Sequence, residues 1–80
     1  MTTEIFTTPN CPRCAYLKKL LDEAGIGYTQ VDVTAGLGPL RRLRQLSGAA
    51  LVPVVVRGRE VWPAFTPEAA RAVVRALEDR

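Results

Sequence analysis

The sequence predicts an α/β chain of order βαβαββα, with a four-stranded mixed sheet flanked by three helices. Three observations predict it. Short β-branched runs alternate along the chain with segments whose apolar residues recur at helical spacing. The first two strand candidates are separated by a helix, as parallel neighbours must be, and the last two by a tight turn around Gly58, as antiparallel neighbours are. Beyond the last strand, Thr66-Pro67-Glu68 carries the signals of a third helix start.

Taken in order, Glu4-Ile5-Phe6-Thr7 is a buried first strand stopped by Pro9-Asn10, a turn pair. From Pro12 the apolar residues Ala15, Leu17, Leu20, Leu21 and Ala24 recur at helical spacing, with Lys18, Lys19, Asp22 and Glu23 on the other side. Pro12 suits a first helical turn, where its missing N–H has no partner to lose, and Gly25 supplies the stop. Tyr28 to Val33 alternates as a second strand, and the intervening helix makes this a right-handed parallel crossover. Gly36-Leu37-Gly38-Pro39 is expected as a turn opening a short helix from Leu40 to about Leu46, closed by Ser47-Gly48. Leu40, Leu43 and Leu46 are assigned to the core and the neighbouring arginines to solvent. Val52 to Val56 reads as a strand with Pro53 at its entrance, and Arg57-Gly58 turns the chain into Glu60-Val61-Trp62. Thr66 caps the last helix, Pro67 takes its first position, and Glu68 faces the positive end of its dipole. That helix runs through Ala70, Val73, Val74 and Leu77 nearly to Arg80.

Eighty residues suggest one domain over residues 1–80, burying roughly 60% of the surface of its unfolded chain. The start, Met1-Thr2-Thr3-Glu4, has neither a basic segment nor an apolar signal region, and no apolar run is long enough to span a bilayer. A cytoplasmic protein without a membrane partner is expected. The net charge of +3 comes mainly from arginine, with Arg41, Arg42 and Arg44 together and Arg57 and Arg59 around a turn. Neither group is interleaved with aromatics, so nucleic acid is not the expected partner, and an acidic protein is favoured instead.

The only two cysteines, Cys11 and Cys14, are spaced Cys-x-x-Cys, and the chain has no histidine. That absence removes a Cys-His nucleophile pair, a His general base and a zinc site of mixed Cys and His ligands. Two cysteines cannot close a tetrahedral zinc site within one chain, so no metal ligand is assigned. Two small core fillers are the plain alternative, but the spacing and the strand end just before the motif favour redox chemistry. A disulfide exchanges when a thiolate attacks one of its sulfurs. At a helix N-terminus Cys11 faces unpaired N–H groups and the positive end of the dipole, and Arg13 adds to the stabilisation of its thiolate. Cys14 is close enough to resolve the mixed disulfide and is expected to be the more buried. Thr8 is a turn-forming hydroxyl near Cys11, and Asp32 is read as an exposed strand end rather than a buried proton carrier.

The order of elements, with Cys-x-x-Cys between the first strand and the first helix, resembles the minimal thioredoxin fold of the glutaredoxin family. The similarity covers the whole chain. It is carried by Thr7-x-x-x-Cys11-Pro12-x-Cys14, by Gly25-Ile26 with Tyr28 and Val31-Asp32-Val33, and by Val52-Pro53. The resemblance implies a cis Val52-Pro53 bond opposite the cysteine pair, with the backbone of Val52 open to an extended substrate. Pro53 to Pro67, P-V-V-V-R-G-R-E-V-W-P-A-F-T-P, is similar to the P-V-V-x-x-G-x-x-x-W-S-G-F-x-P of NrdH-type redoxins, electron donors of ribonucleotide reductase. Glutathione-using glutaredoxins carry G-G-x-D there, and this chain has neither the paired glycines nor the aspartate.

The implied activity is that of a dithiol-disulfide oxidoreductase, with Cys11 attacking and Cys14 resolving. No bound cofactor is implied. Reducing equivalents would come from NADPH through a thioredoxin reductase-like enzyme, or from a low-molecular-weight thiol. Clients would be disulfide-containing proteins, ribonucleotide reductase among them, met by a monomer with Trp62 and Phe65 as docking candidates, core packing being the equal alternative for Trp62. A glutathione-dependent glutaredoxin and an iron-sulfur carrier shared between two chains are the alternatives. Pro63 and Ala64 replace the Ser-Gly of the NrdH pattern, and Pro63 is expected to remove a backbone donor and reshape the loop. Arg13 also departs, standing where glutaredoxins usually carry Tyr and NrdH redoxins often Gln.

Overall fold

In the computed structural model, which describes residues 2–79, a four-stranded sheet of order β2-β1-β3-β4 carries three helices. Arg80, the expected end of the last helix, and Met1 lie outside that range. The order of elements is β1 (Thr3–Thr7), α1 (Pro12–Glu23), β2 (Thr29–Asp32), α2 (Leu37–Ser47), β3 (Val54–Arg57), β4 (Glu60–Pro63) and α3 (Pro67–Glu78). β1 pairs parallel with β2, Thr7 opposite Asp32, and antiparallel with β3, Phe6 opposite Val54. β4 lies antiparallel on the outer side of β3. This is the thioredoxin-like architecture expected of the sequence. Among the described residues no helix is long and apolar enough to cross a membrane.

Alternation along the strands divides the core. Ile5 and Val55 join Leu17 and Leu21 of α1 with Ala70, Val73 and Leu77 of α3. Phe6, Val54 and Val56 join Leu43 of α2, together with Val33, Val52 and Cys14. Successive strand residues point to opposite faces, so β1 supplies one large side chain to each cluster.

The helix ends follow from their caps. Thr66 Oγ1 accepts from the Ala69 N–H at 3.1 Å, with Pro67 in the first turn of α3. The C-cap of α2 is Gly48 at φ 78°, a left-handed conformation that glycine adopts without steric penalty. At its other end α2 begins at Leu37, not at Leu40 as the sequence predicts. The expected turn Gly36-Leu37-Gly38-Pro39 is thus largely helical, since Pro39 as the third residue of the helix forfeits no helical bond.

Three further expectations are corrected. Of the α2 leucines only Leu43 is fully buried; Leu40 is half-buried and Leu46 is 37% exposed. Three-residue steps turn about 60° short of a full circle each, so the outer two leucines flank the face that Leu43 centres. Ala15 is exposed, outside the apolar stripe of α1. The third strand starts at Val54, leaving Val52 and Pro53 as a buried approach to it.

Pro63 closes β4 without breaking the ladder. It stands opposite Val54, while the Ala64 N–H donates to the Pro53 carbonyl at 3.0 Å. That bond places Pro63 at the non-hydrogen-bonded position, where a residue's own N–H points off the sheet edge and a proline loses nothing. The expected missing donor is therefore not one that β3 uses.

Arg42, one of the arginines assigned to solvent, reaches back to the sheet. Its guanidinium donates to both oxygens of Glu4, at 2.6 and 2.9 Å, and its Cζ lies 5.2 Å from the Phe6 ring centroid. The bonds from Arg42 hold the Glu4 carboxyl below its ordinary value, against a smaller opposing effect of burial. A depressed carboxylate contributes stability that is present above its unfolded pKa and lost as pH falls through the folded one. Arg42 is 47% exposed, so solvent screens the pair. In urea melts Glu4→Gln should cost about 0.5–1 kcal/mol at neutral pH and progressively less as the pH is lowered into the acid range. A difference of the same size at neutral and acid pH would show that the charge pair is not its source.

Candidate functional site

The site is set by how β1 hands the chain to α1. Thr7 ends the strand, and Asn10 turns the chain in the left-handed region at φ 56°, which asparagine tolerates better than most residues. Cys11 is then the N-cap of α1, in extended conformation, and its Sγ accepts from the Cys14 N–H at 3.2 Å. The sulfur thus occupies the place usually held by a serine or aspartate oxygen. Pro12 and Arg13 lie exposed in the first turn.

Cys11 and Cys14 are joined as a disulfide with Cα atoms 5.2 Å apart. Cys11 is half-buried, whereas Cys14 is 1% exposed and packs in the cluster of Phe6, Leu43 and Val54. One sulfur faces solvent and the other is sheltered.

The structure brings Val52 and Pro53 into the same neighbourhood. The Val52-Pro53 bond is cis, and Val52 belongs to the cluster that contains Cys14 and abuts Cys11. Phe65 packs half-buried on that cluster too. Trp62 does not join them: it is half-buried against the cluster between α1 and α3, beside Val55, its partner in the ladder. The two aromatics paired as docking candidates therefore belong to different halves of the core.

A cleft of about 570 Å³ opens beside Cys11, lined by the loop before α1, by α1 and by β2. Thr8, Cys11, Pro12, Lys18, Gln30 and Asp32 are among the residues that line it. Lys18 Nζ donates to Gln30 Oε1 at 3.2 Å. Asp32 Oδ1 accepts from the Thr34 hydroxyl at 2.6 Å and the Thr34 N–H at 2.8 Å. Those two bonds, the hydroxyl's first, hold its carboxyl below the ordinary range. Asp32, read from the sequence as an exposed strand end, is half-buried at the end of β2 and lines the cleft.

Lys18 and Gln30 were not singled out from the sequence, although two signals pointed to them. Lys18 stands seven residues after Cys11, two helical turns along the same side of α1. Gln30 precedes Asp32 by two on β2, and the parallel register sets Asp32 against Thr7 at the strand end that leads to the motif.

The glutaredoxin family model matches residues 3–62. A glutaredoxin of Neisseria meningitidis serogroup B is 36% identical over 66 residues, 81% of this chain and 78% of that protein. Among solved structures, the thioredoxin-like protein BC3987 superposes with a TM-score of 0.77 at 28% identity, over 90% of this chain and 99% of that one. The Escherichia coli NrdH-redoxin, a glutaredoxin-like protein with a thioredoxin-like activity profile, superposes with a TM-score of 0.75 at 25% identity, over 91% of this chain and 95% of its own.

The unequal shelter of the two sulfurs has a direct readout. In the reduced protein, limiting iodoacetamide should alkylate Cys11 at least roughly tenfold faster than Cys14, since reactivity follows exposure and thiolate character. Peptide mass spectrometry of the quenched reaction measures both, and equal labelling would contradict this order.

Proposed function

The chain belongs to the glutaredoxin family of thiol-disulfide oxidoreductases, and we propose that within it this protein works through two cysteines, as an NrdH-type electron donor to protein disulfides. The observation that carries the reading is the segment Trp62-Pro63-Ala64-Phe65-Thr66-Pro67. It stands where glutathione-using relatives hold their ligand with Gly-Gly-x-Asp. The likeness to the Escherichia coli NrdH-redoxin supports the same reading.

The reaction begins from the dithiol. Cys11, its thiolate favoured by the open end of α1 and by Arg13, attacks one sulfur of a client disulfide. A bond forms between Cys11 Sγ and that sulfur, the client's S–S bond breaks, and its second sulfur leaves as a thiolate that takes up a proton. Cys14 then loses its proton and attacks Cys11 Sγ, forming the Cys11–Cys14 disulfide and releasing the client's remaining thiol. The client gains two electrons and two protons, and the chain gives them up.

Val52 supports the first step by pairing its backbone with an extended client segment beside the sulfur, with cis-Pro53 fixing the approach. Thr8 and Pro12 shape the loop around Cys11, while Phe65 meets the partner at the rim. Trp62, packed from β4 against the core cluster that α1 and α3 share, supports the segment from behind. The dithiol is restored by NADPH through a thioredoxin reductase-like enzyme. We place the protein as a monomer in the cytoplasm, with ribonucleotide reductase among its clients.

Oxidised protein should turn over with NADPH and thioredoxin reductase, and only slowly with NADPH, glutathione and glutathione reductase, followed by NADPH absorbance. Efficient reduction by the glutathione system alone would overturn the NrdH-type assignment. Cys14→Ser should lower reduction of a protein disulfide by roughly 100-fold or more and accumulate a mixed disulfide at Cys11. Full activity of that variant on a glutathione mixed disulfide would move the protein to the one-cysteine class.

A further inference from the structure

Arg42 ties α2 to the sheet, and the part of α2 that it ties down shares a core cluster with Cys14. Among the described residues Leu43 is alone in α2 in being fully buried, and its cluster contains Phe6, Val54 and Cys14. Glycines stand at both ends of the helix: Gly36, the N-cap, makes no side-chain bond, and Gly48 closes it in a left-handed turn. Arg42, the residue before Leu43, bridges the helix to β1. It donates to both oxygens of Glu4 while its guanidinium lies over the ring of Phe6, two residues on and on the same face of the strand. One side chain thus holds Leu43 through its helix and Phe6 through its ring, the two largest side chains in the cluster that shelters the second cysteine.

We infer that Arg42 is a positioning residue for Cys14: clamped to Glu4 and Phe6, it keeps Leu43 seated in the cluster, so that the second sulfur meets no disulfide except the one formed at Cys11. A thiol sheltered in this way serves for resolution alone. With α2 loosened, Cys14 would also meet client and low-molecular-weight disulfides directly, and the order of attack would no longer be fixed. The value of the shelter in catalysis rests on the proposed two-cysteine reaction, whereas the clamp itself does not. Arg42 is 47% exposed, so its replacement releases the clamp without leaving a cavity in the core.

The test is alkylation of Cys14 by excess iodoacetamide in a Cys11→Ser protein, where it is the one thiol and serine is itself a good helix cap. A sulfur that is 1% exposed reacts through local opening, so its rate follows the opening equilibrium. Adding Arg42→Met should speed labelling by about 3- to 10-fold, the combined size of an exposed ion pair and a cation–π contact. Glu4→Gln keeps the ring contact and should speed it by about 2- to 5-fold. Val73→Ala is the control, since it weakens the other half of the core and leaves the clamp intact. It should destabilise the whole fold in urea melts yet change the labelling rate by less than about 2-fold.

Labelling as slow with Arg42→Met and Glu4→Gln as without them would overturn the clamp and leave the two-cysteine reaction standing. Acceleration by Val73→Ala equal to that by Arg42→Met would overturn it too, because the route to Cys14 would then be unfolding of the whole chain. Retained reduction of protein disulfides by Cys14→Ser would instead overturn the catalytic meaning of the shelter, whatever the labelling rates.

Discussion

A helix that starts immediately after a strand presents backbone N–H groups that no carbonyl of its own can reach. In this protein one of them, on Cys14, is taken by the sulfur of Cys11. Much of the site depends on that single contact. It holds Cys11 at the mouth of α1, where the dipole favours negative charge, and directs the following turn so that Cys14 enters the core. Packing and chemistry are fixed together, because the residue that caps the helix also belongs to the Cys-x-x-Cys pair.

The sheet supplies the rest of the frame. β1 is central, paired with β2 on one side and β3 on the other, so its carboxyl end is the point where both neighbours can contribute to the site. From β2 comes Asp32, opposite Thr7; from the approach to β3 come Val52 and Pro53. The sulfur pair therefore has a polar, charged side and an apolar, backbone-lined side.

What the sequence made legible was whatever local rules decide. Thr66-Pro67 fixed the start of α3, Gly25 and Gly48 the ends of α1 and α2, and Gly58 the hairpin, because caps and turns depend on a few neighbouring residues. The reactive pair was legible for the same reason. Burial along α2 was not, since leucines at three-residue spacing fan across the surface and only the packing partner decides which one is central. Lys18 and Gln30 were hidden among polar residues that look like an ordinary solvated face, and only the crossover of β2 past α1 brings them into one cleft. The roles of Trp62 and Phe65 could not be separated along the chain, because three residues across a strand end lead them into different halves of the core.

The bond from the Ala64 N–H to the Pro53 carbonyl bears on how this protein can change. It continues the β3–β4 register into the loop that follows, so the positions on either side of the Gly58-Arg59 turn, from Val54 to Arg57 and from Glu60 to Ala64, have assigned partners. A single inserted residue in β4 would slip the pairing and turn Trp62 away from the core. Side chains beyond the ladder can be exchanged while the spacing stands. The stretch from β4 into α3 can thus be rewritten letter by letter but not lengthened, and it can diverge by substitution rather than by insertion.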